Sequence, residues 1–291
     1  MKKTLFTLLT LSLFFSCSKP MYVNVMTFNI RLDHAGDGPN NWQYRKDVAA
    51  KVVTTYDVDI MGGQEVLNNQ LKDLLERLPE YNAIGVGRDD GIDRGEFSPL
   101  LYKKNRFSEE KSGTFWISET PDIPGKMGWD AACNRVASWA ILKDKKSGKR
   151  IFAINTHLDH MGLTARREGA NLLINKINEL ADGLPVVLTG DFNDLSTSDA
   201  VKNITDITKR GSLIDSKTVA SKVSGSDWTF HDFGRLPMDQ RERIDYIFVS
   251  KQVNVLDYET LPDTLDSIFV SDHKPVYTKL PGWKQEIRGI K

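Results

Sequence analysis

Cysteine is nearly absent from this chain, since its 291 residues include only two, Cys17 and Cys133. Cys17 follows directly on an N-terminal apolar run, which leaves Cys133 without an intramolecular partner. Disulfides are therefore excluded as the framework of the fold, and stability must come from a hydrophobic core. A lone thiol is most often a small buried apolar group, and we interpret Cys133 in that way.

An excess of charge of one sign is also lacking, because 39 Lys and Arg balance 39 Asp and Glu. A protein that binds nucleic acid would be expected to carry a basic excess. Loss of an export signal containing Lys2 and Lys3 would bring the net charge to about −2. The composition weakens an interpretation as a nucleic-acid-binding protein without excluding it, since a local basic patch such as residues 143–150 is compatible with a neutral chain.

Long apolar runs are missing beyond the N-terminus, where MKKTLFTLLTLSLFFSCSK places a positive start before 12 apolar-rich residues, 4–15. A membrane-spanning helix needs about 20 such residues, so the pattern predicts a secretory signal over residues 1–16. Ser16-Cys17 resembles a bacterial lipoprotein processing site, with Cys17 as the acylated first residue of the mature protein. We expect an exported protein, lipid-anchored in the periplasm or at the surface of a bacterial cell envelope, or secreted if Cys17 is not lipidated.

Repeats, low-complexity tracts and Pro/Ser-rich linkers are absent as well, which predicts a single domain over residues 22–282. Apolar residues at helical spacing predict helices over residues 42–56 and 67–78, and a third that Thr164 caps and that ends at Gly183. Strand patterns are more numerous and occur at residues 22–30, 59–62, 81–86, 99–103, 136–142, 151–158, 186–189, 244–249, 253–258 and 275–280. Hairpins and strand-helix-strand units both occur, so an α/β (α+β) sandwich is favoured over a purely parallel sheet.

Polar residues follow the ends of many of these strands. In VVLTGDFNDL a buried strand gives way to Asp191, although GDFND alone is equally typical of a turn. Strand ends are the edge of an α/β sheet at which ligands usually bind. The set comprises Asn29, Glu65, His157, His160, Asp191, Asn193, Asp245, Asp272 and His273. So many polar groups at strand ends predict that they surround one cleft.

These segments, in this order, resemble the endonuclease/exonuclease/phosphatase superfamily, which includes deoxyribonuclease I-like nucleases, deadenylases, neutral sphingomyelinases and inositol polyphosphate phosphatases. GDFN, together with RIDYIF before SDHKPV, carries most of the resemblance, QEV adds to it, and it extends over about residues 22–280. Stretches such as WQYRKD, GEFSPLLYKK and GWDAACNR are similar to exported bacterial members. The resemblance implies a four-layer α/β/β/α sandwich, in which two mixed sheets pack face to face between flanking helices.

The resemblance also implies a divalent-metal site. Glu65 is the implied principal ligand, with Asn29 and Asp272 beside it. Mg²⁺ or Mn²⁺ suits such carboxylate and amide oxygens, and Mg²⁺ needs few protein ligands because it retains water and takes phosphate oxygens.

Catalytic roles are implied in the same way. Asp191 would orient or deprotonate the attacking water, and Asn193 would position Asp191 or the phosphate. His273 would be the active-site histidine, with Asp245 fixing its tautomer and favouring its charged form. His157 would supply a further donor to the phosphate or the leaving oxygen. A phosphoester needs such a site, because its oxygens must be neutralised and a water placed in line.

Weaker patterns suggest contacts to substrate. His160 lies three residues after His157, Arg166 follows on the next helix, and Arg94 lies in a Gly-rich loop with Arg88 and Glu96. Each has a plain alternative, as a turn cap or a solvated loop.

The sequence therefore predicts a Mg²⁺- or Mn²⁺-dependent phosphoester hydrolase, a phosphodiesterase or phosphatase, that acts outside the cytoplasm. A small phosphoester or a lipid head group is favoured over nucleic acid as the substrate. We expect a monomer whose membrane contact is the lipid anchor at Cys17. The alternatives are an extracytoplasmic nuclease and a catalytically silent binding protein on the same fold.

Overall fold

The computed structural model of the protein describes residues 22–281. The predicted signal and Cys17 lie outside the described residues. Within residues 22–281, no helix has the length and apolar character needed to cross a membrane.

Strands predominate in the described part of the chain, as the sequence patterns indicate. The helices are α1 (Trp42–Thr55), α2 (Asn68–Arg77), α3 (Leu163–Leu180), α4 (Asp199–Thr205) and α5 (Ser216–Val219). The strands are β1 (Val23–Asn29), β2 (Ile60–Gln64), β3 (Tyr81–Ile84), β4 (Leu100–Lys103), β5 (Phe107–Trp116), β6 (Val136–Asp144), β7 (Arg150–His157), β8 (Val186–Asp191), β9 (Ile214–Asp215), β10 (Lys222–Ser224), β11 (Asp245–Val249), β12 (Asp257–Thr260), β13 (Thr264–Leu265), β14 (Ile268–Phe269) and β15 (Val276–Leu280).

Two large mixed sheets contain all of these strands except β13 and β14, which form a separate two-stranded sheet. The first has seven strands in the order β10-β12-β15-β1-β2-β4-β3, and the second has six in the order β5-β6-β7-β8-β11-β9. In the first sheet β1 runs parallel to β2 and antiparallel to β15. In the second sheet β8 runs parallel to β7 and antiparallel to β11. The predicted α/β sandwich of two mixed sheets with flanking helices is confirmed.

The alternation of side chains along the central strands explains how the two sheets pack against each other. Val25 and Ile60 of the first sheet share a buried cluster with Val187 and Ile247 of the second. This cluster is the core between the sheets, and its residues point to one face of each strand because successive side chains alternate.

The opposite faces of the same strands pack against helices. Met26 and Phe28 of β1 lie in a cluster with Ala49 and Val53 of α1. In the second sheet, the alternate residues of β8 join the residues of α3 and α4 in a third cluster. Strands β1 and β8 are therefore buried on both faces, apart from the half-buried Asn24.

A buried asparagine joins the two sheets. Asn155 of β7 donates through Nδ2 to the carbonyl oxygens of Gly63 (2.7 Å) and Pro99 (3.1 Å), and its Oδ1 accepts from Gln64 Nε2 (2.6 Å). Gly62 permits this close approach, since a Cβ there would lie 2.1 Å from Thr189 Oγ1. The end of β2 is therefore fixed against the second sheet.

The predicted start of α3 is wrong. The helix begins at Leu163 after Gly162, and Thr164 makes no capping contact. Asp130, from a loop far away in sequence, instead accepts from the backbone N–H groups of Thr164 (3.2 Å) and Ala165 (2.7 Å). A carboxylate supplied from outside the helix satisfies the donors that a local cap would otherwise serve.

Other boundaries also differ from the sequence patterns. The prediction has no counterpart of β5 or α4, and it places a strand at residues 253–258 where β12 is Asp257–Thr260. Strand β2 continues to Gln64, beyond the predicted end at Gly62, because it pairs with β1 up to Asn29.

Candidate active site

The two sheets bring their strand ends together at one cleft of about 530 Å³. Asn29, Glu65, His157 and Asp191 lie at or just after the ends of β1, β2, β7 and β8. Asp245 begins β11 directly opposite Asp191, because these two strands are antiparallel. Of the residues predicted from the sequence, those that line the cleft are Glu65, His157, His160, Asp191, Asn193, Asp272 and His273.

Asp191 is a buried carboxylate held by two amides. Its Oδ2 accepts from Asn29 Nδ2 (2.9 Å), and its Oδ1 accepts from the backbone N–H of Asn193 (2.9 Å). Burial and the charge of Asp245 together raise the pKa of Asp191 to about 7, against the opposing effects of His273 and of the hydrogen bonds from Asn29 and Asn193. The carboxyl group can therefore exchange a proton near neutral pH.

His273 is paired with Asp245. Its Nδ1 lies 2.9 Å from Asp245 Oδ2, and its Nε2 lies 3.8 Å from Asp191 Oδ2. Burial alone would lower the pKa of His273, but the charges of Asp245, Asp191 and Asp272 and the Asp245 hydrogen bond together raise it to about 10. At neutral pH the ring is an imidazolium that donates from Nδ1 to Asp245 and directs Nε2–H toward Asp191.

The surroundings of His157 favour the neutral ring, in contrast to those of His273. Burial, with the charges of Arg135 and Arg88, holds the pKa of His157 well below its usual value, so the ring is neutral. Asn193 Nδ2 donates to its Nε2 (3.0 Å), which assigns the remaining ring proton to Nδ1. Nδ1 is buried and has no hydrogen-bond partner in the structure. His157 thus presents an unused donor at the cleft.

The predicted metal ligands surround a guanidinium group. Arg31 lies 3.8 Å from Glu65 Oε2 and 3.8 Å from Asp272 Oδ2, and it also pairs with Asp37. Asn29 donates to Glu65 Oε1 (3.1 Å), while its own Oδ1 accepts from the backbone N–H of Arg31. In this arrangement Asn29 connects the carboxylates of Glu65 and Asp191, and its place among metal ligands stays a prediction.

The acidic donors of the cleft fit a divalent cation. Ligand atoms of Asp191, Asp245 and His273 all lie within 4.8 Å of one another. Glu65 and Asp272 bring two further carboxylates to the cleft, each 3.8 Å from Arg31, and their part in metal binding stays a prediction. Burial and the neighbouring Glu65 raise the pKa of Asp272 although His273 and Arg31 oppose the rise, as expected where carboxylates converge without sufficient countercharge.

A second group of ligand atoms, Cys133, Asp159 and His160, also lies within 4.8 Å. Arg135 fills this group, since its Nη2 lies 2.9 Å from His160 Nδ1 and its Nε 3.4 Å from Asp159 Oδ2. The interpretation of Cys133 as a buried apolar group is wrong: the thiol is half-buried, lines the cleft and lies 3.7 Å from Asp159 Oδ2.

Four non-glycine residues that line the cleft have left-handed backbone conformations. The φ angles are 58° at Arg31, 57° at Glu65, 48° at Asn193 and 49° at Asp232. Such conformations are uncommon for residues with a Cβ and are often found at functional sites.

The three weaker candidates are placed differently. His160 lines the cleft next to Arg135. Arg166 is buried beneath it, where it donates to Asp194 Oδ2 and the Asp159 carbonyl oxygen. Arg94 is exposed, pairs with Asp90 and is not among the residues lining the cleft.

Several lining residues were not predicted as site residues. The sequence predicts no role for Arg31 or Phe230 and leaves that of Arg135 open, whereas it places Arg88 and Glu96 in a Gly-rich loop that either rims the cleft or is solvated. The position of Arg31 two residues after Asn29, at the end of β1, is a signal that could have found it. Arg135 has no comparable local signal, because its partner Asp159 is 24 residues away.

A family model for the endonuclease/exonuclease/phosphatase family matches residues 26–273. The chain belongs to this family. An endonuclease/exonuclease/phosphatase from Bacteroides vulgatus is 47% identical, with a TM-score of 0.87 over 91% of this chain and 100% of its own. The mannosyl-6-phosphatase of Bacteroides thetaiotaomicron is 39% identical, with a TM-score of 0.83 over 89% of this chain and 99% of its own.

More distant similarity extends to a eukaryotic family member. Nocturnin of Drosophila melanogaster is 26% identical over 161 residues, which are 52% of this chain and 24% of that protein. A protein of Acanthamoeba polyphaga mimivirus is 22% identical over 197 residues, which are 56% of this chain and 29% of that protein. Members of the endonuclease/exonuclease/phosphatase family are phosphoester hydrolases, so membership supports a hydrolase.

Proposed function

We propose that this family member is a divalent-metal-dependent phosphatase that hydrolyses small polar phosphate esters, with sugar phosphates as the leading class. One observation carries the hydrolase proposal: a buried carboxylate with a pKa near 7, Asp191, lies beside the charged imidazole of His273 in a cleft that also holds Glu65 and Asp272. The 39% identity to a mannosyl-6-phosphatase supports the substrate class.

Asp191 and His273 would have different roles in hydrolysis, as proton acceptor and as hydrogen-bond donor. With a pKa near 7, Asp191 accepts a proton from water at neutral pH, and Asn29 and the Asn193 N–H hold it in position. The His273 imidazolium donates to phosphate oxygens, where negative charge increases in the transition state, and His157 Nε2 accepts from Asn193 and so helps to hold that side chain in place.

Glu65 and Asp272 would hold the metal ion. When bound, a divalent cation neutralises phosphate oxygens and contributes several kcal/mol to charge stabilisation. Mg²⁺ or Mn²⁺ fits these oxygen donors. Arg31, between the two carboxylates, supplies further N–H groups to an anionic substrate.

Assays of purified protein on mannose 6-phosphate with added Mg²⁺ or Mn²⁺ test the proposal. We expect turnover that EDTA abolishes and that returns with metal, and a loss of at least about 100-fold in kcat/KM for Glu65→Gln. Asp144→Asn is the matched control, since Asp144 is a buried carboxylate paired with Arg106 at the far end of β6. Turnover indifferent to chelation, or an unchanged rate in Glu65→Gln, would contradict the proposal.

A nuclease is the alternative function, and the same assay distinguishes it from a phosphatase. Extended contact with phosphates makes nucleic-acid affinity fall steeply with salt, whereas a compact pocket is much less sensitive. We expect no nicking of plasmid DNA and a nearly salt-independent rate on the sugar phosphate.

We further propose that the protein acts outside the cytoplasm as a monomer, exported by residues 1–16 and anchored through lipid on Cys17. The short apolar run and the Ser16-Cys17 pair support this placement.

A further inference from the structure

We infer that Arg135, Arg88 and Glu96 form a subsite that recognises adjacent hydroxyl groups on the leaving-group side of the substrate. This inference rests on the proposed function and adds to it the feature that would select the ester. The three residues line the same cleft as Asp191 and His273, and no catalytic role was assigned to them above.

Arg135 provides the first unused donor. Its side chain is 5% exposed, yet Nη1 has no hydrogen-bond partner, while Nε and Nη2 contact Asp159 and His160. A buried guanidinium N–H without a partner costs free energy, so an acceptor from a ligand would be stabilising there. The other contacts of Arg135 fix the direction of this free group.

Glu96 and Arg88 complete the subsite. Arg88 Nη1 donates to Glu96 Oε2 (2.7 Å), and the buried Nε of Arg88 has no partner. Within the described residues the Glu96 carboxylate accepts from Arg88 through Oε2, which leaves Oε1 as an acceptor for a ligand. Two buried guanidinium N–H groups without partners and a carboxylate oxygen thus belong to residues that line one cleft.

The charges favour hydroxyl groups over a second phosphate. The guanidinium groups of Arg88 and Arg135 are balanced by the carboxylates of Glu96 and Asp159. A wall without net charge gives little attraction to another anion, and the Glu96 carboxylate would repel it. A hydroxyl group both accepts from a guanidinium and donates to a carboxylate, so two neighbouring hydroxyls match the set.

The subsite lies close to the reaction centre. His157 separates the two, with Nε2 3.5 Å from Asp191 Oδ2 and Nδ1 3.9 Å from Glu96 Oε2. A single imidazole therefore spans the distance between Asp191 and Glu96. A sugar ring attached to the reacting phosphate would reach the subsite without any extended binding surface.

Two esters of similar size test the inference. Mannose 6-phosphate carries ring hydroxyls, and cyclohexylmethyl phosphate lacks them. We expect the protein to prefer the sugar ester, and Arg135→Met and Glu96→Gln each to lose about 10- to 100-fold in kcat/KM on it, mainly through KM. The same variants should change less than about 3-fold on the cyclohexylmethyl ester, which forms none of these hydrogen bonds.

Arg106→Met is the matched control, because Arg106 forms carboxylate pairs with Asp59 and Asp144 away from the cleft. It should leave the ratio between the two esters unchanged. Equal losses on both esters in Arg135→Met and Glu96→Gln, or no preference in the wild-type protein, would overturn the inference. If Arg135→Met does not fold, Glu96→Gln, which preserves side-chain size, decides alone.

Calorimetric binding of mannose 6-phosphate separates this inference from the proposed function. If neither ester is hydrolysed with metal present, the phosphatase proposal fails, and binding then tests the subsite by itself. An affinity that falls about tenfold in Glu96→Gln supports the subsite, and absence of binding to the wild-type protein overturns it.

Discussion

At the scale of single residues, Asp245 determines the charge of His273. Asp245→Asn removes the carboxylate, so burial becomes dominant and the pKa of His273 should fall from about 10 toward or below the usual value of about 6.5. An NMR titration of the His273 ring in metal-free wild-type and variant protein measures both values. A variant that still titrates near pH 10 would show that Asp191 and Asp272 hold the charge without Asp245.

The same pair makes stability depend on pH. Because the folded pKa of His273 is raised, its stabilising contribution is complete below about pH 6.5 and is lost as pH rises through about 10. Asp191, whose folded pKa of about 7 is also raised, loses its contribution earlier, as pH rises from about 4 to 7. Denaturant titrations between pH 8 and 10 should therefore show a fall in the free energy of unfolding that is much smaller in Asp245→Asn.

Site residues that follow strands could be predicted from the sequence, whereas those that depend on distant contacts could not. Asp191 and His273 could be predicted because apolar strands and family-like motifs frame them, and the structure brings both to the cleft. Their roles stay predictions. Arg135 could not be predicted, since its position depends on Asp159 and His160, which reach it only after β6 and β7 pair.

At the scale of elements, Asn155 fixes the two sheets under the cleft. Asn155→Ala would remove the three hydrogen bonds that join the sheets, to the carbonyl oxygens of Gly63 and Pro99 and from the Gln64 amide, at a cost of about 3–4 kcal/mol in the free energy of unfolding. Urea denaturation followed by circular dichroism measures the loss.

The neighbouring Thr156→Val is the control for this change. Thr156 Oγ1 donates only to Val136 O, within one sheet, so its loss should cost about 1 kcal/mol. Equal costs for Thr156→Val and Asn155→Ala would contradict a special role of the contact between the sheets.

Helices and strands could be predicted where the apolar periodicity is strong, but not where contacts with distant residues determine their bounds. Strand β5 was missed because residues 109–112, in its middle, are charged or polar and exposed, as expected at the edge of a sheet, and a register shift occurs between Glu109 and Lys111. The start of α3 was misplaced because Asp130, rather than a local residue, accepts from its first N–H groups. Neither fact is visible in a short window of sequence.

At the scale of the whole molecule, the N-terminal pattern predicts where the protein works. Full-length protein expressed in a bacterium that processes lipoproteins should fractionate with membranes, with a mass showing loss of residues 1–16 and acylation of Cys17. Cys17→Ser should abolish the acylation and release the protein from the membrane fraction. Cys133→Ser is the control and should remain membrane-bound, since Cys133 lies at the cleft. Full-length protein that stays in the cytosol would contradict the prediction.

The left-handed backbone at Arg31, Glu65 and Asn193 has an evolutionary consequence. Residues with a Cβ are strained in this region by roughly 1–3 kcal/mol each, and the strain is smallest for asparagine. Glycine adopts the same conformation without strain. Selection for stability alone would therefore favour glycine at these positions, at the expense of the side chains that face the cleft. Retention of these side chains would mean that stability is sacrificed for activity. Directed evolution toward heat resistance alone should therefore replace these three residues early, and the replacements should lower activity.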